Sequence, residues 1–142
     1  MDEHLEKENK AIKGTVLIMD DDEDVCLLVD YALRYAGFNV ESAPDGPAAI
    51  DLYRNRLEMG QPYIAVILDL NIPGKIGGKE VIGSLHELNP EIIAFVSSGY
   101  PDDPCMVNFK DYGFSGAIPK PIMYEDILDS FMHVIEKRGT EL

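Results

Sequence analysis

No apolar run in this sequence is long enough to cross a bilayer; the longest, Tyr63 to Leu68 and Ile92 to Val96, fall far short of the ~20 residues a spanning helix needs. The N-terminus, MDEHLEKENKAIKG, lacks the apolar stretch of a secretory signal, which predicts a cytoplasmic protein. Cysteine is scarce. Cys26 and Cys105 are distant and form no CxxC pattern, which predicts two reduced, packed thiols rather than a metal or redox pair. Basic residues are also few, 12 Lys and Arg against 26 Asp and Glu. The resulting formal charge of -14 repels phosphate backbones and anionic membranes, so direct binding to nucleic acid or to a membrane is not expected. There is no low-complexity segment and no repeat beyond the alternation described next.

What is present, in 142 residues, suits one globular domain. Residues 1–13 are polar, without periodicity, and read as a flexible tail or linker. Beyond them, short β-branched runs alternate with segments of helical period, which predicts an α/β, doubly wound, five-stranded parallel sheet with five helices. The strand candidates are Thr15–Met19, Phe38–Ser42, Tyr63–Leu68, Ile92–Ser97 and Gly116–Ile118. The first, third and fourth are almost continuously apolar, as strands covered on both faces are.

Helical faces are marked by Val25, Leu28, Val29, Ala32 and Tyr35, by Ala49, Ile50, Tyr53 and Leu57, and by Val81, Ile82, Leu85 and Leu88. Gly37 and Gly60 stand where a left-handed C-terminal residue is common. A short fourth helix starts at Asp103-Pro104, and the last carries Ile127, Leu128, Phe131, Val134 and Ile135. Methionines and tyrosines in the helices read as core.

A parallel sheet gathers its strand ends at one edge, where ligands bind. That edge receives Asp20 and Asp21 from the first strand, Asp69 from the third, Ser97-Ser98 from the fourth and Lys120 from the fifth. Crowded carboxylates retain a proton or bind a hard cation through oxygen. Mg2+ suits such a site because it takes one or two carboxylates and keeps room for phosphate oxygens. With the charge screened, Asp69 can attack phosphorus and form an acyl phosphate, while Lys120 and Ser98 hold the phosphoryl oxygens.

The segments VLIMDDDEDV, AVILDLNIPGKIGG, FVSSGY and GAIPKPI stand in the order and at the spacing of the response-regulator receiver family, which the chain resembles over roughly residues 14–138. The resemblance implies a receiver domain at 14–138 with a C-terminal tail at 139–142, and a flavodoxin-like (βα)5 fold with strand order 2-1-3-4-5. It implies that Asp20, Asp21, Asp69 and the backbone carbonyl of Asn71 hold Mg2+, that Asp69 is the phosphoacceptor and that Ser98, directly before Gly99, is the switch hydroxyl. Lys120 matches the family lysine joined to a proline through a cis bond, and Asn71 and Tyr100 occupy positions that tune phosphoryl lifetime. The family often has Tyr or Phe where Ala117 stands, which leaves coupling of the hydroxyl to a turning ring open. The stretch from Ser97 to Pro121 is most similar to receivers of hybrid sensor kinases. The implied partners are a sensor histidine kinase or phosphotransfer protein, with a responding and possible dimer face at 102–138.

Other readings are weaker. Asp22, Glu23 and Asp24 start a helix and read as cap and dipole partners. Asp20, Asp22 and Asp24 mimic an EF-hand loop, but Val25 replaces its glycine and Tyr31 its closing glutamate. His4, His86 and His133 read as surface or half-buried residues, and no kinase motif accompanies them. Gly74, Gly77 and Gly78 read as a flexible loop, since GK[ST] is missing. A haloacid-dehalogenase-type phosphatase would use Asp20 and Asp22 and would leave Asp69 without a role, and a non-phosphorylated interaction module would not need the full residue set.

Overall fold

A computed structural model describes residues 13–141, so the polar segment 1–12, with His4, and Leu142 lie outside the described residues. The chain runs β1 (Thr15–Met19), α1 (Glu23–Tyr35), β2 (Asn39–Ala43), α2 (Gly46–Glu58), β3 (Ala65–Asp69), α3 (Gly78–Leu88), β4 (Ala94–Ser98), α4 (Pro104–Val107) and β5 (Gly116–Pro119). A 3-10 turn, Phe109–Tyr112, follows α4. The last helix, α5, is continuous through Tyr124–Asp126, a π-helical run Ile127–Met132, and His133–Glu141. The five strands are parallel in the order β2-β1-β3-β4-β5. This is the predicted flavodoxin-like topology.

The central strands are apolar on both faces because helices cover both. On one face Leu17, Met19, Val66, Leu68 and Val96 pack with Tyr53 of α2, with Val81 and Leu85 of α3 and with Met106 of α4. On the other, Val16, Ile18, Ile67, Phe95 and Ile118 pack with Val29 and Leu33 of α1 and with Ile127 and Phe131 of α5. Phe131 is fully buried, its ring centroid 5.5 Å from that of Phe38 and 5.0 Å from that of Phe95. Burying such a ring stabilises by about 1.5–3 kcal/mol before any aromatic pairing is added.

Helix starts follow the local chemistry. Asp22 Oδ1 accepts from the Asp24 and Val25 amides at 2.9 and 3.4 Å, Asp45 from Ala48 at 3.0 Å, and Asp103 from Cys105 at 2.9 Å. Asp22 is thus the expected cap of α1, and Asp103-Pro104 opens α4. Gly37 and Gly60 both have positive φ.

Several sequence expectations are corrected. On α1, Leu28 and Tyr35 are exposed, and the buried residues are Val29, Ala32 and Leu33. Leucines at 27, 28 and 33 offer two possible stripes, and packing chooses the one through Leu33. Leu128 of α5 is exposed, as are Tyr31, Met59, Tyr100 and Met123, so only part of the Met and Tyr set is core. Strand β2 starts at Asn39 and β3 at Ala65, because Phe38 and Tyr63 are buried in the approaches to the strands rather than paired in them. Gly77 is more than a loop residue: a Cβ there would lie 2.0 Å from the Leu70 carbonyl oxygen, so the α3 N-terminus can approach β3 only with glycine.

Candidate functional site

Strand register builds the site. Ile18 pairs with Ile67, and Ile67 with Phe95, in the apolar cluster beneath α1 and α5. Two residues further along each strand the side chains return to the same face. There Asp69 pairs with Ser97, Ser97 pairs with Ile118, and Asp20, following the Met19–Leu68 pair, stands beside Asp69. A polar row therefore caps an apolar one. Lys120, two residues past Ile118, reaches back over it, with Nζ 2.7 Å from Asp20 Oδ2 and 3.3 Å from Asp69 Oδ2.

Oxygens of Asp20, Asp21 and Asp69 lie within 4.8 Å of one another. Asp20 and Asp69 are buried, whereas Asp21 is exposed at the mouth. Each buried carboxylate keeps one oxygen on backbone: Asp20 Oδ1 accepts from the Asp22 amide at 2.9 Å, and Asp69 Oδ1 from the Asn71 amide at 3.2 Å. These bonds fix the carboxylate planes and leave Oδ2 of each to Lys120.

Burial, and secondly the charge of Asp20, push the Asp69 carboxyl above the usual aspartate range, against the Asn71 amide and Lys120. Burial would lower the Lys120 pKa, but its bonds and charge interactions with Asp20 and Asp69 outweigh it and raise the net value. The ammonium is therefore charged at neutral pH. Cys26, whose thiol points to the Asp20 carbonyl oxygen, is pushed up to about 11 by burial and then by Asp20 and Asp22, which keeps it protonated and unreactive.

Ser98 has the opposite strand parity and is also fully buried. Its Oγ accepts from Asn71 Nδ2 and from the Tyr100 amide, each at 3.0 Å. Asn71 thus joins Asp69, through its amide, to Ser98, through its side chain. The Lys120–Pro121 bond is cis, as the resemblance implied. Ala117 packs at the edge of the α2/α3 cluster. His86 Nε2 meets the Gly113 carbonyl at 2.9 Å, away from this edge, and His133 lies on α5. Ser97 immediately precedes the expected switch hydroxyl Ser98. The period of two through Phe95 and Ser97 is the signal that aligns it with Asp69.

Three carboxylates, a cation and a shielded hydroxyl suit a hard divalent cation and a transferable phosphoryl group. A sequence model described as the response regulator receiver domain matches residues 16–131. The chain belongs to this family. Receiver domains are signalling domains that bind Mg2+ at an acidic pocket and interact with histidine kinases or phosphotransfer proteins. This receiver is 28% identical over 124 residues to a cyclic di-GMP phosphodiesterase of Thermotoga maritima, covering 87% of this chain and 32% of that protein. It is 26% identical over 125 residues to the sensor kinase CckA of Brucella abortus, covering 88% of this chain and 13% of the kinase. A receiver structure from Methanospirillum hungatei superimposes with a TM-score of 0.78 at 22% identity, covering 91% and 98% of the two chains, a likeness of fold. The chain thus spans a third or less of these two curated relatives. Among the described residues no helix is long and apolar enough to cross a membrane.

Proposed function

We propose that this receiver accepts a phosphoryl group on Asp69 from the phosphohistidine of a sensor kinase or phosphotransfer protein, and that the change controls a partner. The observation that carries the reading is the buried Asp69 carboxylate, held by Asn71 and Lys120 within reach of Asp20 and Asp21. An oxygen of Asp69 attacks phosphorus, the P–N bond breaks, and its electron pair leaves on the imidazole nitrogen. Asp20, Asp21, Asp69 and the Asn71 carbonyl would hold Mg2+, which supplies neutralisation of the charge gathered on the phosphoryl oxygens. Lys120 contributes a fixed positive charge on the other side.

Ser98 is the switch hydroxyl in this reading. Its bonds from Asn71 and Tyr100 hold it at rest. A phosphoryl oxygen beside Asn71 competes for that hydroxyl, and the β4–α4 loop carrying Tyr100 then relaxes. The responding face is 102–138, where Val107, Met123 and Tyr124 are exposed and could also pair two copies.

The phosphodonor would approach past α1. A cleft of about 480 Å3 beside the acidic cluster is lined by Asp20, Asp21, Glu23 and Leu27, and Leu28 and Tyr31 of the same helix are exposed. A cytoplasmic site of action fits a kinase partner. Attachment to a hybrid kinase is supported by the Ser97–Pro121 stretch and the likeness to CckA. The phosphatase reading is less well supported, since it leaves the buried Asp69 without a role and its second aspartate, Asp22, caps α1 through Oδ1.

Intact mass after incubation with Mg2+ and acetyl phosphate tests the proposal. The wild type should gain one hydroxylamine-labile phosphoryl group that Asp69→Asn and chelation both abolish. Labelling that survives in Asp69→Asn would refute it.

A further inference from the structure

The Ser97 hydroxyl is 1% exposed and has no hydrogen-bond partner among the described residues. Leaving a buried hydroxyl unpaired costs about 1–3 kcal/mol, which alanine at the same place would avoid. Phe95, two residues earlier, faces the α1/α5 cluster, so Ser97 faces the same way, between Asp69 on β3 and Ile118 on β5. Lys120 lies over this row and bonds both carboxylates in it. Ser98, by contrast, already accepts from two donors.

We propose that Ser97 is a positioning residue for Lys120, its hydroxyl accepting a hydrogen bond from the ammonium when Asp69 carries a phosphoryl group. The inference rests on Asp69 being the phosphoacceptor. At rest the ammonium is directed at Oδ2 of Asp20 and of Asp69. Forming the acyl phosphate removes the charge of the Asp69 carboxylate, so the 3.3 Å contact weakens while anionic oxygens arrive above it. An ammonium has three donors and no acceptor. With one donor on a phosphoryl oxygen and one on Asp20, the third needs an acceptor inside the row, and Ser97 Oγ is the one left open. The serine keeps Lys120 aimed across Asp69, and so acts through it rather than on phosphorus.

The test compares wild type, Ser97→Ala and Ser97→Thr for the rate of labelling by acetyl phosphate with Mg2+, for melting temperature without donor, and for exchange of the Lys120 ammonium protons by NMR. Ser97→Ala should melt no lower than wild type yet label about tenfold more slowly, the worth of one charge-assisted hydrogen bond. Ser97→Thr, which keeps the hydroxyl, should restore the rate. Phosphorylation should slow ammonium exchange in wild type and in Ser97→Thr but not in Ser97→Ala. Equal labelling of Ser97→Ala and wild type would overturn the proposal while Asp69 stands as phosphoacceptor. A lower melting temperature of unlabelled Ser97→Ala would also overturn it, because the hydroxyl would then have a structural bond at rest. If the wild type itself takes no label, the phosphoacceptor reading falls and this inference with it.

Discussion

The row Ile18, Ile67 and Phe95 and the row Asp20, Asp69 and Ser97 lie two residues apart on the same strands, about 7 Å along one face of the sheet. The lower row meets Val29, Leu33 and Phe131, and all of these side chains are buried in apolar contact. The upper row is buried almost as fully, yet it brings together two carboxylates, an ammonium and a hydroxyl that has no hydrogen-bond partner among the described residues. Equal burial therefore serves opposite ends. In the lower row burial removes apolar surface from water and adds stability, whereas in the upper row burial of charged and polar groups costs free energy that their partners must offset.

Removing a side chain packed on the lower row should give the largest effect. Phe131→Ala empties the space between Phe38 and Phe95 and is expected to cost about 3–5 kcal/mol in urea denaturation. A cost below 1 kcal/mol would mean that α5 is not the lid of this cluster. Lys120→Ala attacks the upper row and leaves two buried carboxylates facing each other. Because the ammonium is a fifth exposed, the expected loss is smaller, about 2 kcal/mol without divalent cation. Added Mg2+ should return part of that stability and should return none in an Asp20→Asn, Lys120→Ala double variant. Identical Mg2+ responses in the two would remove Asp20 from the metal site.

Asp22 separates the two uses of aspartate at this edge. It stands two residues from Asp20 but caps α1, so Asp22→Ala should cost about 1 kcal/mol and leave the extent of labelling at Asp69 unchanged. Loss of labelling without loss of stability would instead place Asp22 in the phosphoryl site.

The same contrast marks what could be read from the sequence. The central strands were legible because they are short, nearly continuous apolar runs whose meaning does not depend on phase, whereas their order came from the resemblance to the receiver family. That Asp20, Asp69, Ser97-Ser98 and Lys120 gather at one sheet edge was legible because each stands at or just past a strand end, whereas the choice of Ser98 over Ser97 came from the resemblance. Side-chain direction was harder to read. Leu27, Leu28 and Leu33 permit two helical stripes, and only packing against β1 and β3 rejects the one through Leu28 and Tyr35. Ser97 and Ser98 are chemically the same, and only register shows that one shares the face of Asp69 while the other is held by Asn71. The reach of Asn71 to Ser98 spans 27 residues, which no local pattern reveals.

The smallest expected effect has the opposite sign from the others. Asp69→Asn keeps the shape of the side chain and removes a charge that burial and Asp20 disfavour, so without divalent cation it should be slightly more stable than wild type at pH 7. The sign follows from linkage. A carboxyl whose folded pKa is raised contributes its full stability below the unfolded value of 3.8 and loses it as pH climbs through the higher folded value. The advantage of Asn over Asp should therefore be absent near pH 3.8, grow above it and then level off. Urea midpoints of both proteins across that range in chelator would reveal it. A difference that does not change with pH would show that Asp69 carries no such strain, and the upper row would then be as comfortable without its ligand as the lower one.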